Sequence, residues 1–137
     1  MKATIDHIGI AVGSLTDSLA FFRDALGLEL DRPEEVLSQR VRAHFVFTAD
    51  GPDGSKLELL EATADDSPIA KYVARRGAGL HHVALRVEDI GAALVELAAR
   101  GVRLIDETPR PGAHGTRVAF VHPSATGGVL VELVQKP

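Results

Sequence analysis

His7 and His82 stand 75 positions apart, each inside a short apolar run: Ile5-Asp6-His7-Ile8-Gly9-Ile10-Ala11-Val12 and Gly79-Leu80-His81-His82-Val83-Ala84-Leu85-Arg86-Val87. The same offset sets Val87 on Val12, Leu94 on Leu19 and Leu97 on Phe22. Glu58 and Glu132 lie 74 positions apart, Glu58 between Leu57 and Leu59, and Glu132 between Val131 and Leu133. A unit carrying one histidine and one glutamate has therefore been used twice, and internal repetition governs the reading of the whole chain. A single strand histidine is more often a packed core residue, and a single strand glutamate more often faces solvent. Four positions matched by one repeat, each on the opposite pleat from its aliphatic neighbours, point instead to the ligands of one ion. Two imidazoles and two carboxylates suit a hard-to-borderline divalent cation that keeps room for a chelating substrate, so Co, Ni, Mn, Fe and Zn all satisfy the ligand types.

The elements that must position these residues follow from periodicity. Residues 4 to 12 alternate as a strand, with Ile8, Ile10 and Val12 on one face and His7 on the other. Ser14 is placed to cap a helix whose apolar stripe is Leu15, Leu19, Phe22 and Leu26 and which stops at Gly27. Leu28 to Leu30 predicts a short strand, Pro33-Glu34-Glu35 a loop, and Val41 to Thr48 a strand joined through Gly51-Pro52-Asp53-Gly54 to a returning strand from Lys56 to Leu60. Ser67 and Pro68 have the types of an N-cap and a first helical residue, opening a short segment that ends near Gly77. The second unit repeats the pattern. Its strand carries His82, its helix runs from about Ile90 to Ala99, and strands are expected at Val102 to Ile105, Arg117 to His122 and Val129 to Val134. The fold class expected is α+β, a single domain over residues 1–137 built from two tandem βαβββ modules that form a cupped mixed sheet around a metal site. Module 1 covers about residues 1–63, a linker helix about 64–77, and module 2 about 78–137.

At 137 residues the chain can bury a core without staples, and it has no cysteine, so disulfides and thiolate metal sites are excluded. Its 15 basic and 19 acidic residues, net charge −4, provide no basic footprint for nucleic acid. No apolar run approaches the roughly 20 residues that cross a bilayer, and the start of the chain lacks the pattern of a secretory signal. A cytoplasmic protein with no nucleic-acid or membrane partner is expected.

The paired His…Glu units resemble the vicinal oxygen chelate superfamily. Within it, Asp6-His7-Ile8-Gly9-Ile10-Ala11-Val12, Lys56-Leu57-Glu58-Leu59-Leu60-Glu61, Asp66-Ser67-Pro68-Ile69-Ala70, Gly79-Leu80-His81-His82, Gly112-Ala113-His114-Gly115, Phe120-Val121-His122-Pro123 and Gly127-Gly128-Val129-Leu130-Val131-Glu132-Leu133 are similar to the methylmalonyl-CoA epimerases. The likeness covers nearly the whole chain. It implies metal ligation by His7, Glu58, His82 and Glu132, with Co2+ favoured and Zn2+, Ni2+ or Mn2+ acceptable. It also implies an acyl-CoA substrate, a homodimer, and epimerisation of (2R)- and (2S)-methylmalonyl-CoA by removal and return of the α-proton. In that reaction the metal neutralises the negative charge that develops, and two proton-handling groups must flank the substrate. The resemblance also makes Glu132 a proton carrier as well as a ligand.

The chain departs from the family in one place. A Glu-Gln-Gly-Val run whose glutamate is a favoured acid/base has become Ser38-Gln39-Arg40-Val41, and serine cannot abstract a carbon-bound proton without a base of its own. Glu34, Glu35 and His44 are in range by sequence. The repeat offset carries Ser38 and Gln39 onto Ala113 and His114, which makes His114 a candidate for proton handling and Ser38, Gln39 and His114 candidates for substrate contact. His81 falls on the other pleat from His82 and reads as structural, and His122 before Pro123 reads as a turn or substrate-rim residue. Lys71, Arg75 and Arg76 suit either coenzyme A phosphates or a solvated helix face. Two alternatives share the fold: a glyoxalase-like lyase or isomerase or an epimerase of another acyl-CoA, and a non-catalytic small-molecule binding module.

Overall fold

The computed structural model describes residues 1–137. It divides into two compact units, His7–His81 and a second made of Met1–Asp6 with His82–Pro137, so the division falls inside the first strand, β1 (Thr4–Ala11).

In the first unit β1 leads to α1 (Leu15–Leu19), whose Ser14 side chain accepts a hydrogen bond from the Asp17 backbone N–H at 3.2 Å. The helix does not continue as a regular α-helix to Gly27. It widens into a π-helical stretch, Ala20–Ala25, in which the Leu26 N–H reaches back five residues to the Phe21 carbonyl. That extra residue in the turn rotates the expected stripe, because each wide turn advances the following side chains around the axis. Leu15, Leu19 and Phe22 pack with Val12, Val46, Leu59, Leu28 and Leu30, while Leu26 is exposed.

The strands that follow are β2 (Glu29–Leu30), β3 (Glu34–Val36), β4 (Val41–Phe47) and β5 (Lys56–Ala62). The order is β2-β4-β5-β1, with β3 also paired to β4; β1 and β5 run parallel and β4 and β5 antiparallel. The expected loop at Pro33-Glu34-Glu35 is thus in part a strand. Its two glutamates conceal a β signal that comes from pairing, since Glu35 lies directly opposite Arg42 and the two form an ion pair of 2.7 Å. Ser67, fully buried, accepts from the Ile69 N–H at 3.1 Å and starts α2 (Pro68–Arg76) with Pro68 in the first turn, and α2 packs against β5.

The second unit takes up the chain within β6 (Gly79–Arg86) and adds α3 (Ile90–Ala99), β7 (Arg110–Pro111), β8 (Arg117–Val121) and β9 (Val131–Gln135), in the order β6-β9-β8-β7. Asp89 caps α3 by accepting from the Ala92 N–H, and the Gln135 side-chain carbonyl takes the Ile90 N–H. The strand expected at Val102 to Ile105 is reduced to one bridge, Leu104 to Val121. Val87, Ile90, Ala93, Leu94, Ala119, Val121 and Leu133 form the core between α3 and its sheet. The first unit is therefore β-α-β-β-β-β followed by α2, and the second is β-α-β-β-β, each in mixed sheet, the α+β class expected. No helix is long and apolar enough to cross a membrane.

Candidate metal centre

Strand register decides where each glutamate falls. On the parallel β1–β5 ladder Glu58 pairs with Gly9, two residues beyond His7; on the parallel β6–β9 ladder Glu132 pairs with Ala84, two residues beyond His82. Gly9 and Ala84 bring almost no side-chain bulk to the ladder beside the carboxylates. Glu58 Oε1 lies 3.5 Å from His7 Nε2, and Glu132 Oε2 lies 3.3 Å from His82 Nε2. All four residues are buried.

Each imidazole is held from a second side by a phenylalanine. Phe45, opposite Glu58, meets the His7 ring nearly perpendicular at 5.5 Å, and Phe120, opposite Glu132, meets the His82 ring in the same way at 6.0 Å. Edge-to-face contacts at these separations favour one ring orientation. The reading of the sequence missed both phenylalanines, although the repeat offset that pairs the histidines also pairs Phe45 with Phe120.

The donor chemistry fits a divalent ion. His7 with Glu58, and His82 with Glu132, each set an imidazole nitrogen beside a carboxylate oxygen, donor types that divalent ions take. Ligand bonds of about 2.1 Å place neighbouring donor atoms roughly 3 Å apart, close to the two His–Glu separations. Burial removes competing water, and buried carboxylates beside imidazoles are costly unless charge is compensated.

The other sequence candidates lie on turns, on α2 and beside His82 on β6. Ser38 is exposed on a 3-10 turn, Leu37–Gln39, with Gln39 half-buried and Arg40 in the left-handed region at φ 50°. His114 is exposed in the turn Ala113–Gly115, also left-handed at φ 56°. His81 packs its ring edge-on to Tyr72 at 4.9 Å. His122 shapes the turn Pro123–Ala125, its Nδ1 accepting from the Ser124 N–H at 3.0 Å. Lys71, Arg75 and Arg76 are exposed on α2, and the Arg76 guanidinium lies over the Tyr72 ring.

The opposite pleat of the first unit carries its own polar network. Arg42 bonds Glu35 and Glu61, and buried His44 places Nε2 3.3 Å from the same Glu61 Oε1. The Glu35 carboxylate, more than that of Glu61, holds the Arg42 guanidinium above its ordinary pKa. In the second unit Arg86 directs two guanidinium nitrogens, at 2.9 and 3.1 Å, onto Oδ1 of buried Asp6.

The chain belongs to the glyoxalase/bleomycin resistance protein/dioxygenase superfamily, which it matches over residues 6–120. Among its relatives, the Bacillus subtilis protein YqjC, uncharacterised, is 43% identical over 96% of this chain and 91% of its own length. The mitochondrial methylmalonyl-CoA epimerase of Dictyostelium discoideum is 38% identical over 96% of this chain and 78% of its own. A solved methylmalonyl-CoA epimerase in complex with methylmalonyl-CoA and NH4+ superposes with a TM-score of 0.89 at 38% identity, covering 99% of this chain and 96% of that one.

Proposed function

We propose that the chain is a metal-dependent epimerase that interconverts (2R)- and (2S)-methylmalonyl-CoA, with His7, Glu58, His82 and Glu132 as the ligands of one divalent ion, Co2+ by preference. The observation that carries this reading is the repeated His–Glu contact, 3.5 Å in one unit and 3.3 Å in the other, at the same register in each. Membership of the superfamily and the likeness to methylmalonyl-CoA epimerases support it.

A bound divalent ion would accept the thioester and carboxylate oxygens of a malonyl-type acyl group and stabilise the negative charge that builds up as the α-proton leaves. The chain's own residues supply the rest. Phe45 and Phe120 hold the two imidazoles in place, and burial keeps water from the charged intermediate. Glu132 is proposed to carry a proton at one face of the α-carbon. Ser38, Gln39 and His114, on the turns leading into β4 and β8, are proposed to contact the acyl-CoA. The working form is proposed to be a homodimer.

The test is α-hydrogen exchange. Protein of measured metal content is incubated with methylmalonyl-CoA in deuterated water, and incorporation at the α-carbon is followed by mass. Stoichiometric metal with rapid exchange is expected; metal without exchange overturns the proposal.

A further inference from the structure

Resting on the epimerase reading, we infer that Glu34 is a second proton carrier and takes the place of the family glutamate that Ser38 has lost. Three groups are close enough in sequence to stand in for it, and the β3–β4 ladder separates them by face. Glu34 lies directly opposite Ala43, Glu35 opposite Arg42 and Val36 opposite Val41. Residues directly opposite on an antiparallel ladder project to the same side of the sheet, and successive residues alternate. Ala43 shares its side with Phe45, two residues on, which stands opposite Glu58 and against the His7 ring. Glu34 therefore projects from the face that carries His7, Glu58 and Phe45.

Glu35 and His44 project from the other face. Glu35 is engaged there by Arg42 at 2.7 Å, and His44 by Glu61 at 3.3 Å. Neither can reach a substrate on the His7 side without crossing the sheet.

The second unit shows how far a side chain at this ladder position reaches. Arg110 stands opposite Val118, the residue 75 positions after Ala43, so Arg110 is the counterpart of Glu34. Its guanidinium lies 5.4 Å over the ring of Phe120, the aromatic that contacts His82. Glu34, a shorter side chain at the same ladder position, projects on the side of the sheet that carries Phe45. Two strand spacings and a two-residue step separate the Glu34 and Glu58 backbones by about 12 Å, which leaves a chelated acyl group room between the two side chains. Glu34 is half-buried, so its carboxyl can also exchange protons with solvent.

The step balances. The Glu34 carboxylate takes the α-proton of one epimer, and the C–H pair moves into the bond toward the thioester carbon as charge passes to the carbonyl oxygen. A proton delivered to the opposite face by the other carrier completes the inversion. In the reverse direction Glu34 returns a proton to its own face.

The experiment supplies (2R)- and (2S)-methylmalonyl-CoA separately to wild type, Glu34→Gln, Glu34→Asp and Glu35→Gln in deuterated water, with metal content measured on each protein. Glu34→Gln is expected to keep its metal, to lose exchange from one epimer by about 100-fold or more, and to keep exchange from the other. Glu34→Asp, one methylene short, is expected to slow the same epimer less, and it carries the test if the glutamine variant does not fold. Glu35→Gln is expected to match wild type. A folded Glu34→Gln that exchanges both epimers at the wild-type rate overturns the assignment alone, as does loss of metal together with both exchanges. A metal-bearing wild type that exchanges neither epimer removes the reaction and this assignment with it.

Discussion

Phe45 and His7 meet edge-on, 5.5 Å between ring centres and 85° between planes, and Phe120 and His82 repeat that contact in the other unit. The phenylalanine of each unit is thus a support for the histidine that the proposed ion would use. Phe45→Ala should destabilise the protein by about 3–5 kcal/mol, because Phe45 is buried and its removal leaves a cavity. Phe120 is half-buried, so Phe120→Ala should cost less stability yet weaken metal binding by about 10-fold, as loss of an outer support does. Urea denaturation and metal titration of the two variants measure these effects.

Removing the ion should lower thermal stability. A metal that binds only the folded chain contributes about 2.7 kcal/mol when its free concentration is 100 times Kd. For a chain of this length that raises Tm by about 10 °C. Scanning calorimetry with and without a chelator checks this. His7→Ala and His82→Ala should each abolish the metal-dependent part of the shift; a shift that survives in either variant removes that residue from the ligand set.

Glu132→Gln separates two roles proposed for one residue. The amide retains an oxygen for the ion but cannot carry a proton, so the variant should keep most of its metal and lose exchange by about 100-fold or more. Metal analysis alongside exchange distinguishes this outcome from simple loss of the ion.

The His44–Glu61 contact should matter for stability alone. Glu61→Ala leaves the buried His44 imidazole without that carboxylate, at a cost of about 1–3 kcal/mol, while exchange in the folded variant stays at the wild-type rate. Slowed exchange with unchanged stability would contradict the assignment of this pair to the opposite face.

Asp6 tests the second unit. Its carboxylate is buried, with Arg86 at 2.9 Å and Lys136 at 3.5 Å. Asp6→Ala removes this carboxylate from the Arg86 guanidinium and should destabilise by about 3–5 kcal/mol, read from the denaturation midpoint.

The positions of His7, Glu58, His82 and Glu132 were legible in the sequence because a duplicated unit keeps its spacing, and strand alternation then sets each polar residue apart from its aliphatic neighbours. The caps at Ser14 and Ser67 were legible for a similar reason, since they act within three residues of themselves. Other features depended on partners distant in the chain. Glu34 and Glu35 read as a loop until β4 supplied the ladder, and only that ladder set Glu34 opposite Ala43 and Glu35 on the other face beside Arg42. The π-helical widening that exposes Leu26 and the apposition of Phe45 to His7 likewise reflect packing. Spacing along a chain records which residues repeat and which pleat they share. The face that pleat presents, and the residue opposite it, are decided when a strand takes its register on a neighbour.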